Sequence, residues 1–563
     1  MEALPKLTLK DLLERSAAAH AARPALGWVD GEPITYAQMG KRVIALGGVL
    51  ADHGVRPGDR VAILSESAPH WGVAYFAITT MGATAVPILP DFHPAEVHHI
   101  LRHSGSRAVF ISEKQLAKLE DADLDELDAV FMIEDFSFLE VNPRRDGLSQ
   151  LFEHGRREFA RLREAVRQRS EAPRPAVEET DIAAIIYTSG TTGSSKGVVL
   201  THRNLVFDAL ATLQIQDVQP EDRLLSVLPM SHTYECTIGF LIPMMQGACV
   251  YYLDKPPVAR ALLPALQRVK PTMMLTVPLI MEKIFKTQVL PQITRNPVVR
   301  GLYRIPAVRR RLHRIAVGKL RQTFGGELRF FGIGGALLAP NVEQFLREGG
   351  FPYAIGYGLT ETSPLIAGCG PEVTRYRATG VVIPGVEVRL HEPNPATGEG
   401  EIWVRGDNVM KEYYRDPERT KEALTADGWF RTGDLGVLDD GYLYIKGRLK
   451  NVIVGPSGEN IYPEEIEAVL NRSDYVLESV AYEDGGRLVA RVHPNYELFD
   501  EELSGRDLSE AQMGKAIAER LEAIRREANA SLSAFSRLQQ VIEQPEPFDK
   551  TPTKKIKRYL YVG

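Results

Sequence analysis

Residues 187–197, with the sequence YTSGTTGSSKG, carry the densest set of anion-binding groups in the chain. Glycines let backbone N–H groups approach a ligand closely, the hydroxyls donate further hydrogen bonds, and Lys196 adds a mobile positive charge. This combination indicates a polyphosphate-binding loop. It is not a Walker loop, because Ser195 replaces that motif's second glycine and Gly197 replaces its magnesium-binding Ser or Thr. A plain polar hairpin loop is the alternative that the segment alone leaves open.

Two further motifs place imidazole, aromatic and small side chains where a ligand could lie. The run PMSHTYE brings His232 and Tyr234 just ahead of a long apolar stretch. The run FFGIGGAL is an apolar strand that ends in Gly334, Gly335 and Ala336, which leave room for a flat ligand. Each motif also has an ordinary explanation, since glycines often only form turns and aromatic rings often only fill a core.

Two other motifs add carboxylates and hydroxyls. The run IGYGLTETSP offers an aromatic ring at Tyr357, a hydroxyl at Thr360 and a carboxylate at Glu361. The run GWFRTGDLG contains Asp434, whose carboxylate suits a ribose diol, and KGRLKN contains Arg448. Because Tyr357 alone could be a core residue and Asp434 alone could cap a turn, the motifs carry weight only together.

Strand-like and helix-like segments alternate up to about residue 365, which predicts parallel sheets covered by helices on both faces. The predicted strands are 60–64, 84–88 and 109–112, and the predicted helices lie near 70–81 and 94–103. Residues 143–180, rich in Arg, Glu and Pro, predict an exposed helix and a linker. From about 366 to 447, short strands joined by the turns NPATGEG and DDG predict a small β-subdomain.

The region after residue 447 has a pattern of its own. A helix is expected to begin at Pro463, with two glutamates in its first turn opposing the positive end of the helix dipole. Strands are predicted near 475–482 and 487–493, and a long helix around 509–530. This pattern predicts a separate α+β domain that ends in a basic tail.

The chain has 563 residues, too many for one hydrophobic core, so several folding units are expected. With 44% apolar and 25% charged residues and a net charge of −6, it gives no support for nucleic acid as a partner. Three scattered cysteines suit a reducing cytosol, and the start of the chain lacks the apolar core of a secretory signal. A cytoplasmic location is therefore expected. Residues 237–253, the most apolar stretch, predict a buried helix followed by a strand rather than a membrane span.

Together and in this order, the motifs closely resemble the adenylate-forming superfamily of acyl-CoA synthetases, luciferases and peptide-synthetase adenylation domains. The resemblance runs from about residue 10 to the C-terminus, where TPTKKIKRYL is similar to the superfamily's terminal lysine motif. GENIYPEEIE and the TPTKKIKR ending are most like those of bacterial long-chain fatty acyl-CoA synthetases. The resemblance implies an α/β fold. Its large N-terminal domain (1–447) would have two doubly wound sheets and a small β-barrel-like subdomain, followed by a small mobile α+β domain (448–563).

The activity that the resemblance implies is ATP-dependent activation of a medium- to long-chain fatty acid. The carboxylate would attack the α-phosphorus of ATP to give acyl-AMP and pyrophosphate, and transfer to CoA would then give acyl-CoA and AMP. Mg²⁺ is the implied metal, and ATP and CoA are the co-substrates. Because CoA displaces AMP directly, the chemistry needs no covalent enzyme intermediate and no catalytic cysteine.

The resemblance also assigns roles residue by residue. The β- and γ-phosphates would be held by Thr188, Ser189, Gly190, Thr191, Thr192, Gly193 and Lys196. Adenine and ribose would be enclosed by Gly334, Gly335, Ala336, Tyr357, Gly358, Asp434 and Arg448. Glu361 would bind Mg²⁺, Thr360 would contact the α-phosphate, and His232 would form a wall of the acyl site.

Three further roles fall in the C-terminal domain. Lys555 would bridge the incoming carboxylate and the α-phosphate during adenylation, with Lys554 as the alternative. The domain would then turn about a hinge at Lys450, and Gly458 and Glu459 would come to line the CoA site.

Other functions stay open at this point. An aryl or short-chain acid ligase would share these motifs, and so would an acyl-AMP ligase that loads a carrier protein. A nucleotide-binding scaffold with an inactive site is disfavoured, because it would have no use for the remote lysine at 555. The sequence also leaves a homodimer open.

Residues 287–326 contain nine Lys or Arg and no Asp or Glu, and they include Arg309, Arg310 and Arg311. A basic amphipathic helix resting on anionic lipid would explain this bias and would place the protein peripherally at the inner membrane face. A solvated helical face and a patch for CoA phosphates are the alternatives.

Overall fold

The computed structural model describes residues 4–120, 127–139, 175–188, 195–455, 460–503, 510–551 and 555–562. These residues form a large N-terminal domain with three extended sheets and a smaller C-terminal domain with its own core. The predicted α/β class and the large-plus-small division are confirmed. The boundary after residue 447 and the mobility of the small domain stay predictions. The helix and linker predicted for 143–180 lie, apart from residues 175–180, outside the described residues.

Sheet I carries the two strands that flank the phosphate-loop motif. In spatial order its eight strands are Glu412–Tyr413, Lys196–Thr201, Ile182–Thr188, Thr84–Ile88, Arg60–Leu64, Ser106–Ile111, Ala129–Met132 and Phe138–Leu139. The five central strands are parallel, and the three outer strands run antiparallel to their neighbours. The strands predicted at 60–64 and 84–88 are confirmed, and the one predicted at 109–112 begins earlier, at Ser106.

Sheet II carries the glycine motif. In spatial order its seven strands are Tyr353–Ile355, Phe330–Ile333, Met273–Thr276, Arg223–Ser226, Cys249–Tyr252, Pro24–Trp28 and Ile34–Thr35. Six strands are parallel and the last is an antiparallel edge. Because parallel strands end at one edge of a sheet, the residues that follow them meet there, and a ligand site at that edge is expected.

The helix Pro69–Thr80 lies between sheets I and II. Trp71, Tyr75 and Phe76 are fully buried, and a Cβ on Gly72 would lie 2.8 Å from the ring of Phe240. A helix that is apolar all round has no face to show to water, so it is buried on every side. It joins the two sheets into one hydrophobic core.

Sheet III corrects one prediction. In spatial order its seven antiparallel strands are Tyr357–Gly358, Leu365–Gly368, Val381–Val382, Tyr442–Arg448, Phe430–Asp439, Gly400–Arg405 and Glu387–His391. The first and last strands do not pair with each other within the described residues, so the β-barrel-like subdomain predicted for 366–447 is wrong and the sheet is open. Turns specify hairpins locally, but they do not decide whether the two edges of a sheet meet. The sheet also begins earlier than predicted, at Tyr357, and the strand Glu412–Tyr413 leaves it to join sheet I.

The C-terminal domain has a core whose buried members all lie between Ile461 and Leu538. Its three-stranded sheet consists of Val476–Asp484, Arg487–Pro494 and Gln540–Glu543, and its α-helices are Pro463–Leu470, Tyr496–Leu503 and Glu510–Ser531. A two-stranded ribbon, Ile453–Val454 with Asn460–Ile461, precedes it. The helix start at Pro463 and the long helix predicted around 509–530 are confirmed.

The other described α-helices are Leu9–Ala19, Tyr36–Asp52, Pro94–Ser104, His202–Leu213, Ile242–Gln246, Ala259–Val269, Pro278–Ile284, Leu290–Thr294, Pro297–Leu302, Pro306–Thr323, Pro340–Gly349 and Pro417–Ala423. The helices predicted near 70–81 and 94–103 are confirmed. Residues 237–253 form a helix and then a strand, as predicted, although the helix starts as a π-helix, Tyr234–Leu241. Among the described helices, none combines the length and the hydropathy that crossing a bilayer requires.

The basic stretch forms the surface helix Pro306–Thr323 and the short helices before it. Arg309 is not free, because its guanidinium lies 2.7 Å from Glu348. Arg310 and Arg311 are exposed, whereas Val317 is buried against the core of sheet II. The helix is therefore amphipathic, with two of the three consecutive arginines on its solvent side.

Asp222 ties together the starts of three parallel strands of sheet II. Its carboxylate accepts hydrogen bonds from Thr272 (2.6 Å), Arg329 (2.8 Å) and the backbone N–H of Gln219 (2.7 Å). Burial raises the pKa of Asp222, but the hydrogen bonds from Arg329 and Thr272 outweigh it and hold that pKa below its ordinary value. The ionised form is thus the one that the fold stabilises.

We expect Asp222→Ala to lower the free energy of unfolding by about 1–3 kcal/mol, because Arg329 and Thr272 lose their acceptor. Since the folded pKa of Asp222 is depressed, this contribution is present at neutral pH and is lost as the pH falls through that pKa. Denaturant melts of the wild type and the variant at pH 7 and at acid pH measure it. Asp254→Ala, at an exposed site, is the control, and equal melts for Asp222→Ala and Asp254→Ala would contradict the assignment.

Candidate active site

The phosphate-loop motif connects two antiparallel strands of sheet I. Tyr187 pairs with Gly197, and Thr188 pairs with Lys196, so the motif spans a strand–loop–strand unit as the sequence predicted. Its central residues, Ser189, Gly190, Thr191, Thr192 and Gly193, lie outside the described residues. Thr188 and Lys196 therefore mark where the loop leaves and re-enters the sheet.

Lys196 and Glu361 form an ion pair at the centre of the candidate site. The Lys196 Nζ lies 2.8 Å from Glu361 Oε1 and 2.7 Å from the hydroxyl of Tyr413, and that hydroxyl also donates to Glu361 Oε1 at 2.8 Å. The Lys196 amine also lies over the Tyr413 ring, 4.2 Å from its centroid. Burial raises the pKa of Glu361, but Lys196 outweighs it and holds the pKa below its ordinary value. Glu361 is therefore a carboxylate at neutral pH.

Tyr413 is the member of this group that the sequence analysis missed. It lies in the run KEYYRDPERT, where two adjacent tyrosines give no sign of which one faces the site. Its strand, Glu412–Tyr413, crosses from the region of sheet III to pair with Lys196–Thr201 in sheet I. That long-range pairing, which no local pattern encodes, carries its hydroxyl to Lys196.

Asp434, Tyr357 and Arg448 form a second group. The Tyr357 hydroxyl donates to Asp434 Oδ2 at 2.7 Å, and Arg448 Nε lies 2.7 Å from Asp434 Oδ1. Asp434 and Arg448 are directly opposite each other on neighbouring strands of sheet III. Burial raises the pKa of Asp434, and Arg448 opposes the rise. The sequence-predicted ribose residues are thus brought together, with a carboxylate oriented from both sides.

The glycine motif ends at the carboxyl edge of sheet II. Gly335 has a φ of 90°, a conformation that L-residues with a side chain rarely adopt. A Cβ on Gly334 would lie 3.1 Å from the Tyr234 ring, while Gly335 and Ala336 are exposed. Gly358 is required for a different reason, since a Cβ there would lie 1.8 Å from the carbonyl oxygen of Pro364. Close packing against the backbone of Pro364 therefore explains why position 358 has no side chain.

His232 is neutral at physiological pH. Burial first, and then the positive charge of Lys555, lower its pKa to about 4. The backbone N–H of Tyr234 donates to His232 Nδ1 at 3.2 Å, so the neutral ring carries its proton on Nε2. His232 lies two residues before the π-helix Tyr234–Leu241 and is half-buried. Thr360 is buried in the short turn Thr360–Thr362, beside Glu361.

Lys555 comes from the C-terminal domain into the same site. Thr551 and Lys555 exchange two hydrogen bonds. Burial of the amine first, and then the charge of Arg448, lower the pKa of Lys555, while Asp434 and Glu361 oppose that shift. The residue as a whole is nevertheless exposed. Lys554, the alternative, lies outside the described residues.

A cleft of about 350 Å³ opens between these groups. Its walls include Lys196, Glu361, Tyr413, Arg431 and Arg448. Both cationic and anionic side chains line it, which suits a ligand with both phosphates and a cation. Lys450, the predicted hinge, lies two residues after Arg448 in the turn Leu449–Asn451. Gly458 and Glu459 lie outside the described residues.

A second, apolar cavity lies against sheet II. It is lined by Tyr234 and Ile238 of the π-helix and by Met273, Leu275 and Phe330 of sheet II. Its volume is about 40 Å³, little more than a single water molecule occupies in the liquid. Side chains must therefore shift before a long aliphatic chain can enter. The apolar stretch predicted next to His232 does line this cavity.

Comparison with known proteins places this geometry in a family. Residues 13–414 match the family of AMP-binding enzymes. Long chain acyl-CoA synthetase 6, peroxisomal, of Arabidopsis thaliana is 30% identical over 575 residues, which cover 93% of this chain and 79% of that protein. A second relative is the 3-[(3aS,4S,7aS)-7a-methyl-1,5-dioxo-octahydro-1H-inden-4-yl]propanoyl:CoA ligase of Rhodococcus jostii (strain RHA1). It is 31% identical over 479 residues, which cover 84% of this chain and 85% of that protein.

A solved structure agrees in fold. The anthranilate CoA ligase AuaEII in complex with anthranoyl-AMP matches with a TM-score of 0.77 over 98% of this chain and 96% of that one, at 22% identity. The resemblance read from the motifs is thereby confirmed. With most of its length matched to the family, this chain belongs to the AMP-binding enzymes.

Proposed function

We propose that this protein is an ATP-dependent ligase that activates medium- to long-chain fatty acids as acyl-AMP and transfers them to CoA. The observation that carries the proposal is a cleft lined by Lys196, Glu361 and Arg448. Asp434 pairs with Arg448, and Lys555 of the second domain lies close enough to interact with Arg448, Asp434 and Glu361. A nucleotide-binding scaffold would not need a lysine brought in from the second domain. Curated relatives named as long-chain acyl-CoA synthetases support the acid class.

In the first half-reaction the residues position charge rather than form bonds. Lys196 would pass from Glu361 to the β- and γ-phosphates, and Asp434 would hold the ribose diol. Lys555 would bridge the fatty carboxylate and the α-phosphate, where charge builds up as pyrophosphate leaves. Groups already oriented before the ligand arrives need no rearrangement during the reaction, which is the main source of such catalysis.

The site fits a magnesium ion. Glu361 is a buried carboxylate at the edge of a polyphosphate site, and Mg²⁺ usually takes one or two carboxylates and completes its shell with water and phosphate oxygens. Glu361 would hold the ion, and the bound ion would neutralise phosphate charge. Because the ring of His232 is neutral, it would neither repel the ion nor attract the phosphates.

In the second half-reaction the CoA thiol would attack the acyl carbon and release AMP. The thioester forms as the mixed anhydride breaks, so no enzyme nucleophile takes part. We propose that the C-terminal domain turns at Lys450 between the two steps and that Gly458 and Glu459 line the CoA path. The position of Lys450 in a three-residue turn between sheet III and the C-terminal ribbon supports a pivot there.

The acyl tail would occupy the apolar cavity that Tyr234 and Ile238 help to line. Apolar walls from Ile238, Met273, Leu275 and Phe330 support an aliphatic tail. Two other acid classes are the alternatives: an aryl acid, and the fused-ring propanoic acid named for the Rhodococcus relative. An acyl-AMP ligase that loads a carrier protein would use the same first half-reaction.

We expect kcat/KM to rise steeply from C6 to C12 or beyond, because each buried methylene contributes about 0.8 kcal/mol. Acid-dependent AMP release with and without CoA, across chain lengths from C2 to C18, measures it. Benzoate and a fused-ring propanoic acid are the comparison substrates. A maximum of kcat/KM at acetate, benzoate or the fused-ring acid would contradict the fatty-acid assignment. AMP release at the same rate with and without CoA would favour a carrier protein as the acceptor.

We expect Lys555→Ala to slow adenylation by about 10²–10³-fold, the loss typical of one pre-placed charge in a transition state. Thioester formation from supplied acyl-AMP should survive, because Lys555 is assigned only to the first step. Pyrophosphate exchange and thioester formation from purified acyl-AMP measure the two steps separately. Lys554→Ala is the matched variant, and a larger adenylation loss there would transfer the role to Lys554.

Peripheral contact with an anionic membrane stays a prediction. Of the three consecutive arginines, only Arg310 and Arg311 are now expected to make it. We expect Arg310→Gln with Arg311→Gln to weaken binding to anionic vesicles by about 1 kcal/mol per charge. Arg309 is left in place because it pairs with Glu348. The control replaces Arg487 and Arg537, which are exposed on the C-terminal domain. If the wild type does not sediment with such vesicles at low salt, these arginines are a solvated helical face.

A further inference from the structure

Lys286 connects the large domain to the C-terminal domain. It lies in the π-helix Phe285–Val289, directly after the helix Pro278–Ile284, and it is half-buried. Its Nζ donates to the carbonyl oxygen of Ser473 at 2.8 Å and to the carbonyl oxygen of Val476. Ser473 follows the helix Pro463–Leu470, and Val476 begins the first strand of the C-terminal sheet. One side chain of the large domain thus holds two backbone groups of the small one.

This contact differs from an ordinary surface contact. Carbonyl groups near the end of a helix carry partial negative charge, and a protonated amine is the donor that they bind best. Burial lowers the pKa of Lys286 to about 8, whereas Asp474 on the C-terminal domain and Glu282 on the preceding helix act in the opposite direction. The amine has therefore exchanged much of its water for the two carbonyls. Losing them would leave a half-buried charge without its acceptors.

The same C-terminal domain delivers Lys555. Its core is one unit, with buried members from Ile461 to Leu538, so the segment Ser473–Val476 and the tail that bears Lys555 are carried together. Arg558, three residues beyond Lys555, donates to Glu467 in the helix Pro463–Leu470 at 2.6 Å. A rotation that withdraws Lys555 from the cleft must therefore break both hydrogen bonds of Lys286.

A second contact between the domains lies near the predicted hinge. The Tyr462 hydroxyl donates to Glu399 of the large domain at 2.7 Å. Tyr462 lies only twelve positions after Lys450 in the sequence, whereas Lys286 reaches residues farther along the C-terminal domain. Tyr462 makes one hydrogen bond to a side chain, whereas Lys286 donates two to backbone carbonyls, so Lys286 makes the larger of the two contacts.

We propose that Lys286 is a positioning residue that holds the C-terminal domain in the arrangement in which Lys555 faces the cleft. This inference rests on the proposed two-step ligase reaction. Lys286 touches neither the nucleotide site nor the reacting atoms, and it acts through Lys555. Removing its amine favours withdrawal of Lys555 and so penalises the adenylation step selectively.

The test compares Lys286→Met with Lys283→Met, whose lysine is exposed on the preceding helix. We expect Lys286→Met to slow pyrophosphate exchange about 10-fold, the loss expected for hydrogen bonds to a charged donor. Thioester formation from supplied acyl-AMP should stay at the wild-type rate or rise. Lys283→Met should match the wild type in both steps, and Lys286→Arg, which keeps charged donors, should recover part of the exchange rate.

A measurement independent of activity separates this inference from the proposed function. Trypsin can cleave after Arg448 and Lys450 in the predicted hinge, and a C-terminal domain released from Lys286 should expose that turn more often. Faster cleavage in Lys286→Met than in Lys283→Met supports the positioning role even if no fatty acid is activated. Equal cleavage, or equal slowing of both half-reactions with a lower melting temperature, would overturn it. Failure of the wild type to release AMP with any acid would overturn the proposed function alone.

Discussion

The ion pair between Lys196 and Glu361 is the interaction on which the rest of the site depends. Glu361 is only 6% exposed, and a buried carboxylate that loses its partner is strongly destabilising. Lys196 begins a strand of sheet I, whereas Glu361 lies in the turn between the first two strands of sheet III. Tyr413 binds both, and the backbone N–H of Met410 donates to the Glu361 carbonyl. The pair thus holds two sheets together at the place where the phosphates would bind.

The second group, around Asp434, is likewise a buried carboxylate that protein partners hold in place. A carboxylate is held between a tyrosine hydroxyl and a guanidinium, so its orientation is set before any ligand arrives. A ligand then finds charges that are already placed, and it has to displace only protein partners. The neutral state of His232 fits this arrangement, because a cation there would compete with Lys555 for the carboxylate of the proposed substrate.

The C-terminal domain is attached by polar contacts of another kind. Lys286 binds backbone carbonyls, and Tyr462 binds Glu399. Such hydrogen bonds exchange for water at a small net cost. They can define one arrangement of the domain without making it permanent, as a reaction with two successive acceptors requires. An apolar interface of the same extent would be much harder to open.

Local sequence determined a large part of this protein. Apolar runs bounded by turns located the strands at 60–64 and 84–88, and Pro463 marked the start of its helix, because these signals act between near neighbours. The same is true of the strand–loop–strand unit around Lys196. The side chains that can bind phosphate, ribose or a metal were also visible as residue types, since glycines, lysines and carboxylates have few other reasons to occur in that order.

Tertiary structure alone decided which of these groups meet. The pairing of Glu412–Tyr413 with sheet I brought Tyr413 to Lys196, and the open edge of sheet III replaced the barrel that its hairpins suggested. Lys286 lies one residue before the basic stretch 287–326, and only the packing of the C-terminal domain places two carbonyls against it. Contacts between residues nearly two hundred positions apart depend on how whole sheets and domains pack. No local pattern in the sequence records that packing, because it is set by the summed burial of many side chains rather than by the neighbours of any one.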